Sequence, residues 1–227
     1  ETADAYIGRG TAYLYLKDTV RALENFDQAI RTNRENPNGY YQRGTLLLQK
    51  EEYARAEADF DMSIRCDSAF LPPYFNRAVV YSNTNRPMQA LADFDRVLQL
   101  DSTNSFTYFN RAILRTQIGD YNRALDDFDR VALYSPGNVQ VYYLRAMLKT
   151  RLGDLEGAER DYTRAIELYP DFANAYLNRS ALRYALHNPK AAKRDEEIAQ
   201  RKIAEYKSHL KDSTYSICLL YTSPSPR

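Results

Sequence analysis

The chain has 227 residues, 31 basic against 30 acidic, for a formal net charge of +1. That balance supplies no broad electropositive field for nucleic acid or an anionic membrane surface. No apolar run reaches the length of about 18 residues needed to span a bilayer, and two cysteines, Cys66 and Cys218, are too few for a disulfide framework or a cysteine metal site.

In chain order, apolar residues recur at helical spacing in short bursts separated by breakers. Residues 3–36 hold two bursts around a turn at Lys17-Asp18. Residues 37–70 open on Pro37 after the cap residue Asn36, turn at Lys50-Glu51-Glu52, and place Phe60 and Ile64 inward on a second helix. In residues 71–104, Pro72-Pro73 and Pro87 stand at helix starts, where a missing N–H costs little. Residues 105–138 carry Tyr108, Ala112 and Ile113 on one helix and Ala124, Phe128 and Val131 on the next, with Gly119-Asp120 between. Residues 139–172 turn at Gly153-Asp154 and close on Tyr169-Pro170-Asp171. Residues 173–204 change character after Asn188-Pro189, where dense mixed charge predicts a polar closing helix from Pro189 to about Leu210, with 205–217 holding its end and a tail. The alternative is that this helix continues into a further domain.

These segments are copies of one unit. Gly10, Gly44, Ala78, Ala112, Ala146 and Ser180 recur every 34 residues. Four residues before each stands a tyrosine (Tyr6, Tyr40, Tyr74, Tyr108, Tyr142, Tyr176), and twelve after each an alanine (Ala22, Ala56, Ala90, Ala124, Ala158, Ala192). Sixteen after come Phe26, Phe60, Phe94, Phe128 and Tyr162, until Glu196 ends the series. A strict period with this large, small, small, large order resembles the tetratricopeptide repeat family. Two departures are that the consensus tryptophan is tyrosine throughout, and that the closing proline survives only as Pro136 and Pro170.

The resemblance implies an all-α, right-handed superhelical solenoid of antiparallel helix pairs, about six 34-residue repeats at 3–36, 37–70, 71–104, 105–138, 139–172 and 173–204. It also implies a concave face lined by the first helices, used to bind a protein or an extended peptide, as a scaffold or adaptor with no cofactor. Carried onto this chain, the groove positions are Tyr41, Phe75, Phe109 and Tyr143, followed by Gln42, Asn76, Asn110 and Asn178, and further along by Asn83 and Gln117. A carboxamide both donates and accepts, so it suits the backbone of an extended peptide. The competing reading is that these residues pack adjacent repeats. The groove lacks the paired lysines of the family's carboxylate clamp, so acidic C-termini are not the expected ligand.

Before each small residue stands an arginine: Arg9, Arg43, Arg77, Arg111, Arg145 and Arg179. Sixteen residues later stand Asn25, Asp59, Asp93, Asp127, Asp161 and Asp195. Antiparallel helices bring such positions face to face, so bidentate structural ion pairs are expected for Arg43–Asp59 through Arg179–Asp195, against a ligand-facing arginine ladder as the alternative.

Catalytic signals are lacking. His187 and His209 stand apart with no ligand-spaced partners, and His187 reads as a turn residue. Gly8-Arg9-Gly10 follows no strand, and Asn178-Arg179-Ser180 lies inside a predicted helix. The carboxylates recur by repeat position, which is the mark of architecture, and Cys66 takes an inward phase as a small hydrophobe. The chain opens on Glu1, so its natural start is expected upstream, leaving compartment and oligomeric state open. At the other end, Cys218 to Arg227, CLLYTSPSPR, resembles a translated sequencing adapter, placing the native end near Ser216; a natural Ser/Pro-rich tail is the alternative. Two further functional readings stand beside the scaffold: a substrate-presenting arm of a larger enzyme, and a self-assembling array.

Overall fold

The computed structural model describes residues 2–211; the adapter-like stretch at 218–227 and the side chain of His209 lie outside the described residues. Twelve helices are described: α1 (Ala3–Tyr15), α2 (Thr19–Thr32), α3 (Pro37–Gln49), α4 (Tyr53–Cys66), α5 (Leu71–Asn83), α6 (Pro87–Leu100), α7 (Ser105–Gln117), α8 (Tyr121–Tyr134), α9 (Val139–Leu152), α10 (Leu155–Leu168), α11 (Ala173–Ala185) and α12 (Pro189–Lys211). Odd-numbered helices are the first, and even-numbered the second, members of successive pairs. The described helices fall into two compact units that divide between Arg130 and Val131, inside α8.

The turn within each pair obeys one rule. Lys17, Glu51, Asn85, Gly119, Gly153 and His187, spaced by one period, all adopt positive φ, between 57° and 60° for the side-chain-bearing residues and 84° to 85° for the glycines. A left-handed residue just past a helix lets the next N–H reach back to an otherwise orphaned carbonyl. Asp18 N thus donates to Tyr13 O at 2.9 Å, and Arg86 N to Tyr81 O at 2.8 Å. The residue after the left-handed one starts the second helix, and Asp18 and Asp154 accept from the amides of Arg21 and Gly157.

The turns between pairs explain how most repeats dispense with proline. Asn33, Asp67 and Asp101 each accept a hydrogen bond from the backbone amide two residues on, at 2.9 to 3.1 Å, an Asx-turn that bends the chain as proline would. Hydroxyl and amide donation from Thr103 holds the Asp101 carboxyl below its ordinary range. Where Ser135 and Tyr169 take that register, Pro136 and Pro170 follow.

In the first unit, burial is shared between a pair and the first helix of the next. Phe26 packs with Ala22 and Leu46, Phe60 with Ala56, Leu47 and Val80, and Phe94 with Ala78, Ala90 and Leu114. Leu46, Val80 and Leu114 are again one period apart, each delivered by the following helix. A fully buried side chain of this size stabilises by about 1.5–3 kcal/mol, so each pair depends on its neighbour for part of its core. In the second unit Tyr162, Leu148 and Leu182 are buried at the corresponding registers.

Candidate functional site: the arginine clasps and the first-helix face

Arg43, Arg77, Arg111 and Arg179 reach further than the sequence pattern suggests. Arg43 Nε and Nη2 donate to the two carboxylate oxygens of Asp59 at 2.8 and 2.6 Å, the planar fork matching the carboxylate. Its third arm, Nη1, donates at 2.7 Å to Asp27, which belongs to the second helix of the preceding pair. Arg77 repeats the arrangement with Asp93 at 2.8 and 2.7 Å and with Asp61 at 2.6 Å. Arg111 does so with Asp127 at 2.9 and 2.6 Å and also donates to Asp95. In the first pair Arg9 Nε donates to Asn25 at 2.6 Å.

The second unit varies the theme. Arg145 holds Asp161 at 2.8 and 2.5 Å, and Arg179 holds Asp195 at 2.8 and 2.7 Å. The third arm of Arg179 reaches the Thr163 hydroxyl at 2.9 Å, so a neutral acceptor replaces the second carboxylate there. In the last three pairs a further cation one turn along the first helix joins the carboxylate: Arg115 on Asp127 at 2.7 Å, Lys149 on Asp161 at 2.8 Å and Arg183 on Asp195 at 2.9 Å. Tyr13, Leu47 and Tyr81 stand at that register in the first three.

The arginines and the acids of their own pair are largely withdrawn from water, whereas Asp27, Asp61 and Asp95 of the preceding pairs stay well exposed. The Asp93 side chain is 8% exposed, and burial pushes its carboxyl above the ordinary range while Arg77 pulls the other way. The Asp59 bond conversely raises the Arg43 guanidinium, and the Asp93 bond that of Arg77. The recurring tyrosine completes the clasp. Arg77 lies 5.7 Å from the Tyr74 ring, Arg111 5.4 Å from Tyr108 and Arg145 5.4 Å from Tyr142, a cation over an aromatic face. The hydroxyls of the same three tyrosines donate to the carbonyls of Ser68, Ser102 and Pro136 at 3.2 to 3.3 Å, fastening the preceding turn.

The carboxamide and aromatic row lies on the first helices, and in the first unit it joins successive pairs. Asn76 Nδ2 on α5 donates to Thr45 Oγ1 on α3 at 3.0 Å. Asn110 donates to Phe106 O at 2.8 Å, and Asn83 to Val79 O at 3.0 Å, each one turn back on its own helix. One donor of each carboxamide is therefore engaged internally, while Gln42 is half-buried and Gln117 exposed. Tyr41 meets Phe70 edge-on at 5.3 Å, Phe75 lies between Phe94 at 5.5 Å and Phe106 at 4.9 Å, and Phe109 meets Phe128 at 6.2 Å. In the second unit Asn178 Nδ2 donates to the Tyr143 hydroxyl at 3.0 Å, and the Tyr143 ring packs on Phe172 at 4.6 Å. Burial raises the Tyr143 phenol and pushes that of neighbouring Tyr162 up to about 12.

Three matches to family models, all described as tetratricopeptide repeat, cover residues 7–69, 71–104 and 139–172, together more than half of the chain. The chain is a tetratricopeptide repeat protein. Solved structures share the fold. PilF of Pseudomonas aeruginosa aligns with a TM-score of 0.74 at 16% identity, over 91% of this chain and 97% of that one. YrrB, described as a TPR protein with an unusual peptide-binding site, aligns with a TM-score of 0.70 at 20% identity, over 84% and 98%. MamA aligns with a TM-score of 0.69 at 17% identity, over 73% and 96%. A comparison with curated protein sequences finds no significant match.

Within this tetratricopeptide repeat protein, the acids of the preceding pair are what sequence reasoning missed. Asp27, Asp61 and Asp95 recur at the period and were in plain sight. Their pairing needs the knowledge that one guanidinium faces two second helices at once. Among the described residues, no cluster of histidine, cysteine and acidic side chains is suited to a metal, and no helix is long and apolar enough to cross a membrane.

Proposed function

We propose that the protein is an interaction scaffold whose first-helix face holds an extended peptide or a segment of a partner protein. The observation that carries this reading is the lateral continuity of the row in the first unit. Asn76 reaches Thr45 across one helix junction and Phe75 stacks on Phe106 across the next, so side chains of α3, α5 and α7 form one surface longer than a repeat. Such a surface matches a segment several residues long, its carboxamides addressing peptide groups and its half-buried rings supplying apolar area at low entropic cost. A peptide-binding site ascribed to YrrB, a protein of the same fold, adds support by analogy. The arginines are assigned a structural role in this reading, since their donors are directed at side chains of the second helices, carboxylates in most pairs.

The test is affinity capture on the full chain, comparing wild type with the Asn76→Ala, Asn110→Ala double variant, with circular dichroism to verify that both are folded. A partner retained by wild type and lost from the folded double variant is the expected outcome. Identical retention by both would remove the row from consideration as a binding surface.

A further inference from the structure

On the first helices the packing positions follow the period, whereas exposed positions vary from copy to copy. Two residues before each recurring tyrosine stand Asp4, Asn38, Pro72, Phe106, Gln140 and Asn174. Phe106 alone is large and apolar, and it is 64% exposed. Packing does not demand that exposure. Phe70 and Phe172 serve Tyr41 and Tyr143 as Phe106 serves Phe75, but they enter from the residue before a helix and are half-buried. At the corresponding place before α7 stands Asn104, which caps the helix by accepting from Thr107 N at 2.9 Å. The aromatic that meets Phe75 therefore sits two residues later, stacked at 4.9 Å and 29°, with much of its ring in solvent.

Helical spacing places Phe106, Phe109, Asn110, Ile113 and Gln117 on one face of α7. The first helices around it offer no free charge. Helices α3, α5 and α7 contain no Asp, Glu or Lys, and their arginines, Arg43, Arg77, Arg111 and Arg115, are all engaged by carboxylates of the second helices. A charged ligand would find no complement here, whereas a neutral one loses no ionic hydration on arrival.

Building on the scaffold reading above, we propose that Phe106, backed by Phe75 and flanked by Asn110 and Ile113, is the anchor subsite for an uncharged, extended peptide segment that lays a large apolar side chain on its ring. The repeat architecture prescribes no side chain at this register, so the exposed ring is left over from packing, and aromatic anchors carry much of the energy of protein interfaces.

The chain contains no tryptophan, so Phe106→Trp introduces a single indole at the proposed contact. Short random peptides displayed on phage are selected on the full wild-type chain, and the enriched sequences are synthesised for anisotropy titration. The expected winners are neutral and carry an aromatic or aliphatic anchor. Their affinity should fall about tenfold or more in Phe106→Gln, a residue already present at this register as Gln140. It should change less than about twofold between about 0.05 and 0.5 M salt. Saturating peptide should also shift the Phe106→Trp emission to the blue, a readout that does not require the glutamine variant to fold. Enrichment of charged peptides, or binding lost in the Asn76→Ala, Asn110→Ala variant with Trp emission unmoved, overturns the Phe106 subsite while leaving the scaffold reading intact. No enrichment, or binding indifferent to every variant, overturns both.

Discussion

Arg77 and Arg111 make the same three contacts, yet their loss should not cost the same. Asp127, 3% exposed, retains Arg115 when Arg111 is removed, whereas Asp93 has Tyr81 at the register where that second cation would stand. Arg77→Met should therefore destabilise by about 3 kcal/mol, the cost of stranding a buried charge, and Arg111→Met by about 1–2 kcal/mol, as measured by urea unfolding. The pH dependence follows from the same geometry. Asp93 has a folded-state pKa already raised by burial, so any favourable contribution from its protonation is present below the ordinary carboxylate pKa and is lost as pH rises through the folded value. Without Arg77 that folded value rises further. The Arg77→Met defect should thus be largest above the variant's raised folded-state pKa and shrink as acidification carries the carboxyl down through it, with no further change below the ordinary carboxylate range of about pH 4. A defect independent of pH would show that Asp93 is relaxed into solvent in the variant.

Within the helix pair, the turn and the crossing point are set by backbone chemistry at two registers. The left-handed residue costs a side chain about 1 kcal/mol that glycine does not incur. Glu51→Gly should be neutral to stabilising and Gly119→Ala destabilising by about 1 kcal/mol, read from thermal midpoints. The turns at Lys17, Glu51 and His187 were legible as turns, but only the glycines announced a left-handed residue; Lys17, Glu51 and His187 have ordinary side chains, and their positive φ is imposed by the packing of the helices on either side. The crossing point behaves likewise. A methyl group on Gly44 would approach the Phe60 ring to 2.9 Å, and on Gly10 the Phe26 ring to 2.6 Å. Gly44→Ala should therefore cost about 1–3 kcal/mol by overpacking, although alanine is the natural residue of the next pair at Ala78. Periodicity revealed where a small residue was required, but how small depends on helix separations that no spacing encodes. The row was legible to the same degree: its positions follow from the repeat, while Thr45, Phe106 and the Tyr143 hydroxyl, its actual neighbours, lie some 30 residues away in the chain and emerge only from the fold.

At the scale of the molecule, the clasps of Arg43, Arg77 and Arg111 reach sixteen residues forward and sixteen back, so in the first unit the contacts depend on phase within the period and not on which copy supplies the side chain. Excising residues 71–104 would return Arg111 to Asp61 in place of Asp95. Excising 54–87 would instead set Arg43 opposite Asp93 and Gly44 against Phe94. Both shortened chains should fold cooperatively with unchanged helicity per residue, whereas excising 71–86 alone, one first helix and its turn, should leave Asp93 uncompensated and abolish the sharp transition. Retention of a sharp transition in that last variant would show that the pair is not the unit of assembly. The two-way clasp is in effect a splice rule written in protein: a gene that duplicates or loses a whole period, cut at any codon, joins without a visible seam. Thr163, the neutral partner of Arg179, marks where that interchange ends, because a copy bearing threonine moved into the first unit would leave its neighbour's arginine one carboxylate short.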